Sequence, residues 1–332
     1  MPQVNKILII QTAFIGDVIL ATALIEKLKS YYPNSKIDFL VRKGNEVILE
    51  NNSKLNQVLI WNKKQKKYIS LIKLIFKIRK QKYDIVINVQ RFMSTALITV
   101  LSGAPIKSGF RKSPLSLFYQ NKAPHHIDGT HEIERNQKLI EFLTDEKPAN
   151  PKLYLTDYQY KSVKKYQSKP YICISPGSVW FTKQFPADQW VDLINFISSE
   201  YNIYLIGGKE DVKLGNYINE KTNNNKVLSL CGELPLLSSA ALMDKAIMNY
   251  VNDSAPLHIC SSLDAPVTAV YCSTIPKFGF GPIGENASIV ETSEALLCRP
   301  CGLHGKRECP QKHFKCATTI TSDQLLKSLK LD

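Results

Sequence analysis

No apolar run in this 332-residue chain approaches the roughly 18 residues of a membrane-spanning helix. Its opening, Met1-Pro2-Gln3-Val4-Asn5-Lys6, lacks the basic region, isolated apolar stretch and cleavage site of a secretory leader, so a cytoplasmic chain is expected. Low-complexity segments and internal repeats are absent too, and at about 100 to 200 residues per domain two globular domains are expected. Acidic residues are missing from Lys63 to Lys82, where Lys63, Lys64, Lys66, Lys67, Lys73, Lys77, Arg79, Lys80 and Lys82 are interleaved with Ile69, Ile72, Leu74, Ile75, Phe76 and Ile78. A helix of that composition either lies on an anionic membrane surface or packs its apolar side on a sheet and leaves its lysines in water. At its core the run offers only Phe76 for stacking bases, which speaks against single-stranded nucleic acid as the partner.

The net charge of +14 is unevenly spread. Up to Lys152 there are 25 Lys and Arg against 12 Asp and Glu, and beyond it 18 against 17. The first half thus carries an excess of +13, which favours an anionic partner such as phospholipid, phosphorylated glycolipid or nucleic acid.

Apolar runs that suit strands covered on both faces recur along the chain. Ile7 to Ile10, Ile37 to Val41, Gln57 to Trp61 and Asp84 to Val89 read as strands, with helices over Val18 to Tyr31, Tyr68 to Lys82 and Phe92 to Leu101. Lys107 to Asp128, broken by prolines, reads as an irregular loop, and His131 to Leu143 as a helix. Thr144 to Pro151 is polar and holds two prolines, making it the linker between domains 1–150 and 151–332. Alternation then restarts, with strands at Tyr171 to Ser175, Ile203 to Ile206, Val227 to Leu230, Ile247 to Val251 and Val267 to Tyr271. The helices between them span Ala187 to Tyr201, Asp211 to Thr222 and Leu236 to Ala246. The expected class is α/β, two doubly wound Rossmann-like parallel sheets facing a central cleft.

Candidate chemistry falls where strands end and helices begin. Asn252-Asp253-Ser254-Ala255-Pro256-Leu257-His258 follows an apolar run and enters a proline-marked helix start, a place suited to phosphate. Pro176-Gly177-Ser178 can present amides and a hydroxyl to phosphate, and Lys183 can neutralise a departing pyrophosphate. Glu210, after Gly207-Gly208-Lys209, can accept from ribose hydroxyls. Asp17, after Gly16, is either a helix cap or a general base kept ionised by the helix start. His258 stands one turn into its helix, near Asp253 and Ser254. Cys298, Cys301, Cys309 and Cys316, with His304 and His313 between them, can form either a structural zinc site or a loop of reduced thiols. Cys173, Cys231, Cys260 and Cys272 read as core residues.

Together, the Gly16-Asp17 loop, the Pro176 to Pro186 block with Trp190, Gly207 to Glu210, Asn252 to His258 and the Cys298 to Cys316 cluster resemble glycosyltransferase family 9, the bacterial heptosyltransferases of lipopolysaccharide core synthesis. The cysteine cluster looks most like the heptosyltransferase II branch. The resemblance implies a GT-B fold with an acceptor-binding first domain, a donor-binding second domain, and a last helix at about Ser322 to Lys330 packing back across the domains. It implies inverting transfer with no obligatory metal or cofactor. By the same match Asp17 takes the general-base position, and Ser178, Lys183, Glu210, Asp253, Ser254 and His258 surround the ADP-sugar. Ala255 stands where the family usually has Gly, and its methyl would narrow the pocket beside the pyrophosphate.

The expected function is transfer of heptose, or a related sugar, from an ADP-sugar to a phosphorylated lipid A core, by a protein peripheral to the inner membrane through its basic half. Two alternatives are a different donor or acceptor on the same scaffold, and a nucleic-acid-binding protein without catalysis.

Overall fold

The computed structural model of the chain describes residues 4–63 and 67–329; Met1 to Gln3, Lys64, Lys66 and Lys330, named above, lie outside the described residues. The chain forms two compact units, Met1–Tyr154 and Leu155–Asp332.

The first unit is a parallel sheet of β1 (Lys6–Ile10), β2 (Lys36–Arg42), β3 (Gln57–Trp61), β4 (Ile85–Asn88), β5 (Ile106–Phe110) and β6 (Asn121–Ala123), ordered β3-β2-β1-β4-β5-β6. Its helices are α1 (Ile15–Tyr31), α2 (Lys67–Lys80), α3 (Met93–Leu101) and α4 (Glu132–Gln137). Ile7 to Ile10 are completely buried, as a run apolar at every position requires. Apart from Thr22, helix α1 is apolar from Val18 to Ile25, and it is buried throughout that stretch.

One expectation for this unit changes. The supposed loop Lys107 to Asp128 contains β5 and β6: a lysine and a glycine interrupt the apolar run of β5, and the Tyr119 ring occupies the space that a Cβ on Gly109 would need. Asp145, in the stretch read as a linker, and the residues just after that stretch bond to α1. Lys27 pairs with Asp145 at 2.6 Å, Lys152 N donates to Thr22 Oγ1 at 2.9 Å, and Tyr154 Oη donates to Glu26 Oε1 at 2.8 Å.

The second unit repeats the plan with β7 (Tyr171–Ser175), β8 (Asn202–Leu205), β9 (Val227–Ser229), β10 (Met248–Asn252), β11 (Val267–Tyr271) and β12 (Ala287–Glu291), ordered β12-β11-β10-β7-β8-β9 and parallel. Its helices are α5 (Asp157–Val163), α6 (Ala187–Phe196), α7 (Val212–Lys221), α8 (Leu236–Asp244), α9 (Ala255–Leu263), α10 (Lys315–Thr318) and α11 (Ser322–Leu326). Trp190 fills the core, its ring edge-on to Phe185 at 4.9 Å. The closing helix is confined to α11, and Leu325 and Leu329 are used in this unit's own core.

Counted from its first strand, each unit has the order 3-2-1-4-5-6. Strand order therefore reverses between β1 and β4, and between β7 and β10, and ligands of such sheets sit beyond the carboxyl ends of the strands at that reversal.

Candidate active site

At the reversal in the second unit, Val251 of β10 lies beside Ser175 of β7, so the residues that follow each strand emerge as neighbours. Asn252, fully buried, joins them: its Nδ2 donates to Pro176 O at 2.8 Å and Gly177 O at 3.2 Å, and its Oδ1 accepts from Phe185 N at 2.9 Å. Asp253 and Lys183 are thereby brought together, Nζ to Oδ2 at 2.7 Å, and Thr274 donates its hydroxyl to the same oxygen at 2.7 Å. Ser254 is the N-cap of α9, followed by Ala255 at N1 and Pro256 at N2. Pro256 has no amide, and Leu257 N donates to Ser254 O at 3.1 Å, which narrows the usable first-turn donors to the amides of Ser254 and Ala255. His258 is buried, with its ring edge-on to Phe280.

Glu210 is exposed, whereas its neighbour Asp211, which the motif reading missed, turns inward. Its Oδ2 accepts from Gly208 N at 2.8 Å, and a Cβ on Gly177 or Gly207 would collide with its side chain. Both glycines thus let two loops close on one carboxylate. Burial raises the Asp211 pKa, the Gly208 amide opposes the shift, and Glu210 adds to it. Ser178 is half-buried in the loop after β7.

In the first unit the reversal lies beyond Ile10 and Asn88, and Thr12 Oγ1 donates to Gln90 Oε1 across it at 2.6 Å. Gly16 and Asp17 open α1. Asp17, at N3, accepts from Phe14 N at 3.2 Å, so the helix-cap reading is realised in a half-buried carboxylate. A second cluster borders it that no motif announced. Arg135 donates to buried Glu132 at 2.7 Å, and His125 Nε2 is 3.8 Å from the same carboxylate. Burial raises the Glu132 pKa, Arg135 opposes this, and the charge of Asp17 adds to it. Burial and the charges of Arg91 and Arg135 hold the His125 pKa down at about 4. The pair His125-His126 in an otherwise proline-broken stretch was the available signal.

Cys298, Cys301 and Cys309 are half-buried and Cys316 is buried, all as thiols. Cys298 Sγ is 3.7 Å from His313 Nε2, and Cys301 Sγ donates to Cys298 O at 3.4 Å. Among the described residues no group of three or more His, Cys, Asp and Glu is placed to hold a metal ion. Cys173, Cys231, Cys260 and Cys272 are buried in the core.

The sequence profile of glycosyltransferase family 9 (heptosyltransferase) matches residues 71–313. Lipopolysaccharide heptosyltransferase 3 of Escherichia coli (strain K12) is 29% identical over 292 residues, 82% of this chain and 83% of that protein. Among solved structures, a family 9 glycosyl transferase from Veillonella parvula DSM 2008 superposes with a TM-score of 0.86 at 22% identity, over 99% of this chain and 97% of that one. The E. coli ADP-heptose lps heptosyltransferase II does so with a TM-score of 0.80 at 21% identity, over 98% and 97%. These identities do not single out one branch. Fold and likeness define an α/β chain of the GT-B type. It belongs to glycosyltransferase family 9 (heptosyltransferase) and is a glycosyltransferase.

Proposed function

We propose that the chain transfers a heptose, or a related sugar, from an ADP-sugar to a hydroxyl of the phosphorylated lipid A inner core in lipopolysaccharide biosynthesis, with inversion at the anomeric carbon. The observation that carries this reading is the Lys183–Asp253 pair at the strand-order reversal of the second unit, in a chain whose relatives include a protein named lipopolysaccharide heptosyltransferase 3. The second unit takes the donor. Ser178 and the amides of Ser254 and Ala255 hold the diphosphate, exposed Glu210 accepts from the ribose, and His258 backs the helix start. Lys183 meets the charge that grows on departing ADP, with no metal ion in the step. The Ala255 methyl narrows the space beside the pyrophosphate.

Asp17, in the acceptor-binding first unit, removes the acceptor proton as the oxygen attacks. The amide of Phe14 donates to this carboxylate at the start of α1, which fixes where the base would stand.

The basic first half holds the acceptor's phosphates and lies on the inner membrane surface from the cytoplasmic side. Helix α2 supports this. Leu71, Leu74 and Ile78 pack on the sheet, while Ile69, Ile72 and Phe76 remain 52%, 54% and 62% exposed among Lys73, Lys77, Arg79 and Lys80. The sheet-packing reading is met on one face of this helix, and the exposed face opposite it is the one that supports the membrane reading. A solvated lysine face has no need of that apolar stripe, whereas an anionic bilayer surface accommodates both. Among the described residues no helix is long and apolar enough to cross a membrane.

The test is a donor screen with ADP-heptose, other ADP-sugars and UDP-sugars, read as nucleoside diphosphate release with lipid A core as acceptor. Turnover with ADP-heptose is expected, and turnover confined to UDP-sugars would end the reading.

A further inference from the structure

The cysteine-bearing loop takes no part in the reaction just described, yet it grips the residue next to Lys183. Thr182, 1% exposed, is held on several sides. Its amide donates to Lys306 O at 3.1 Å, and its hydroxyl accepts from Lys306 N at 2.7 Å and from Ser273 Oγ at 2.9 Å. Ser273 N donates to Thr182 O at 3.2 Å, and Ser273 O accepts from Cys301 N at 2.9 Å. Gly305, at φ +76°, lies against the lysine stem, where a Cβ would stand 2.9 Å from Lys183 Cγ and 3.1 Å from Thr182 Oγ1. Arg299 anchors the loop to the carboxyl end of β11, donating to Cys272 O at 2.7 Å, Tyr271 O at 3.1 Å and Thr274 O at 2.7 Å. Thr274 is also the donor to Asp253, so the loop reaches both members of the Lys183–Asp253 pair.

We infer that the loop Arg299–Lys306 is a clamp that positions Lys183, with Thr182 as its positioning residue; this rests on the reading of Lys183 as the cation facing the leaving group. A free lysine side chain samples many rotamers, and a charge that is already in place needs no reorganisation when the transition state forms. Cys301 serves the clamp through its backbone bond to Ser273, and its thiol turns back on Cys298 O.

Thr182→Val keeps the side-chain shape and removes the hydroxyl, and Thr182→Ser restores it. Expected for Thr182→Val is a kcat about 10- to 100-fold lower with KM for ADP-heptose within about threefold, and for Thr182→Ser a near-complete rescue. In a Lys183→Ala background Thr182→Val should cost nothing further. An unchanged kcat in folded Thr182→Val, or an undiminished loss in the Lys183→Ala background, overturns the clamp. If Thr182→Val does not fold, Gly305→Ala is read by the same criteria. An activity-independent readout is the 13Cε resonance of Lys183 in lysine-labelled protein, assigned by its absence in Lys183→Ala. It should move in Thr182→Val and Gly305→Ala, and a resonance that stays in place in both overturns the clamp. Wild-type turnover in Lys183→Ala would remove the leaving-group role instead, and the resonance would still decide the clamp.

Discussion

Lys183 and Asp253 form an ion pair at 2.7 Å in which the side chains are 15% and 8% exposed, and the Thr274 hydroxyl is the second donor to that carboxylate. If Lys183 faces the donor as proposed, a bound diphosphate competes with Asp253 for the same ammonium, and stabilisation of the leaving group depends on how this contact is shared.

Lys183→Ala should lower turnover by about 10²-fold or more in an ADP-release assay. It should also destabilise the protein by roughly 3 kcal/mol in chemical unfolding, because buried Asp253 keeps a hydroxyl partner but loses its cation. Adding Asp253→Asn should recover part of that stability and none of the rate. A Lys183→Ala enzyme with normal turnover would take Lys183 out of the mechanism.

Asp17→Asn separates cap from base. Its side-chain oxygen can still accept from Phe14 N, so the melting temperature should stay close to that of the parent. Turnover should fall by about 10² to 10⁴ if the carboxylate removes the acceptor proton. Normal turnover in the folded variant would leave Asp17 with the cap alone.

His125 predicts a pH dependence of stability. Its folded-state pKa is held down at about 4 against an ordinary value of 6.5, so the unfolded chain takes up the proton first and stability falls as pH drops through that window. Glu132, whose pKa is raised, pulls the other way as it protonates. The variant His125→Gln should remove the histidine contribution, on the order of 3 kcal/mol across the window, when urea unfolding is compared at several pH values. Parallel curves for parent and variant would refute the assignment.

For the stripe on α2, replacing Ile69, Ile72 and Phe76 together by Ser should weaken binding to vesicles containing anionic phospholipid by tenfold or more, at about 0.8 kcal/mol for each methylene no longer buried. All three are exposed, so the melting temperature should hardly change. Binding that ignores both the substitutions and added salt would rule out this face.

Much of this molecule was legible locally. Tyr171–Ser175 and Val267–Tyr271 occupy the expected strand boundaries, because strands buried on both faces favour near-continuous apolar runs, and the edge strand Gln57–Trp61 does so as well although Ile60 is exposed. β5 escaped, since Lys107 and Gly109 interrupt its run and its burial depends on Tyr119 and on the Leu139 carbonyl, to which Ser108 donates at 2.6 Å. Glu210 was visible as a motif member, while inward-turned Asp211 depended on how closely two loops approach.

Apolar periodicity and turn residues act over a few positions, and so the sequence by itself determined two α/β halves and the strand ends where polar residues collect. The partner of each polar residue was decided only by the tertiary structure. Lys183 and Asp253 are distant in the chain, and they meet because strand order reverses at β7 and β10 and places the loops that follow those strands side by side.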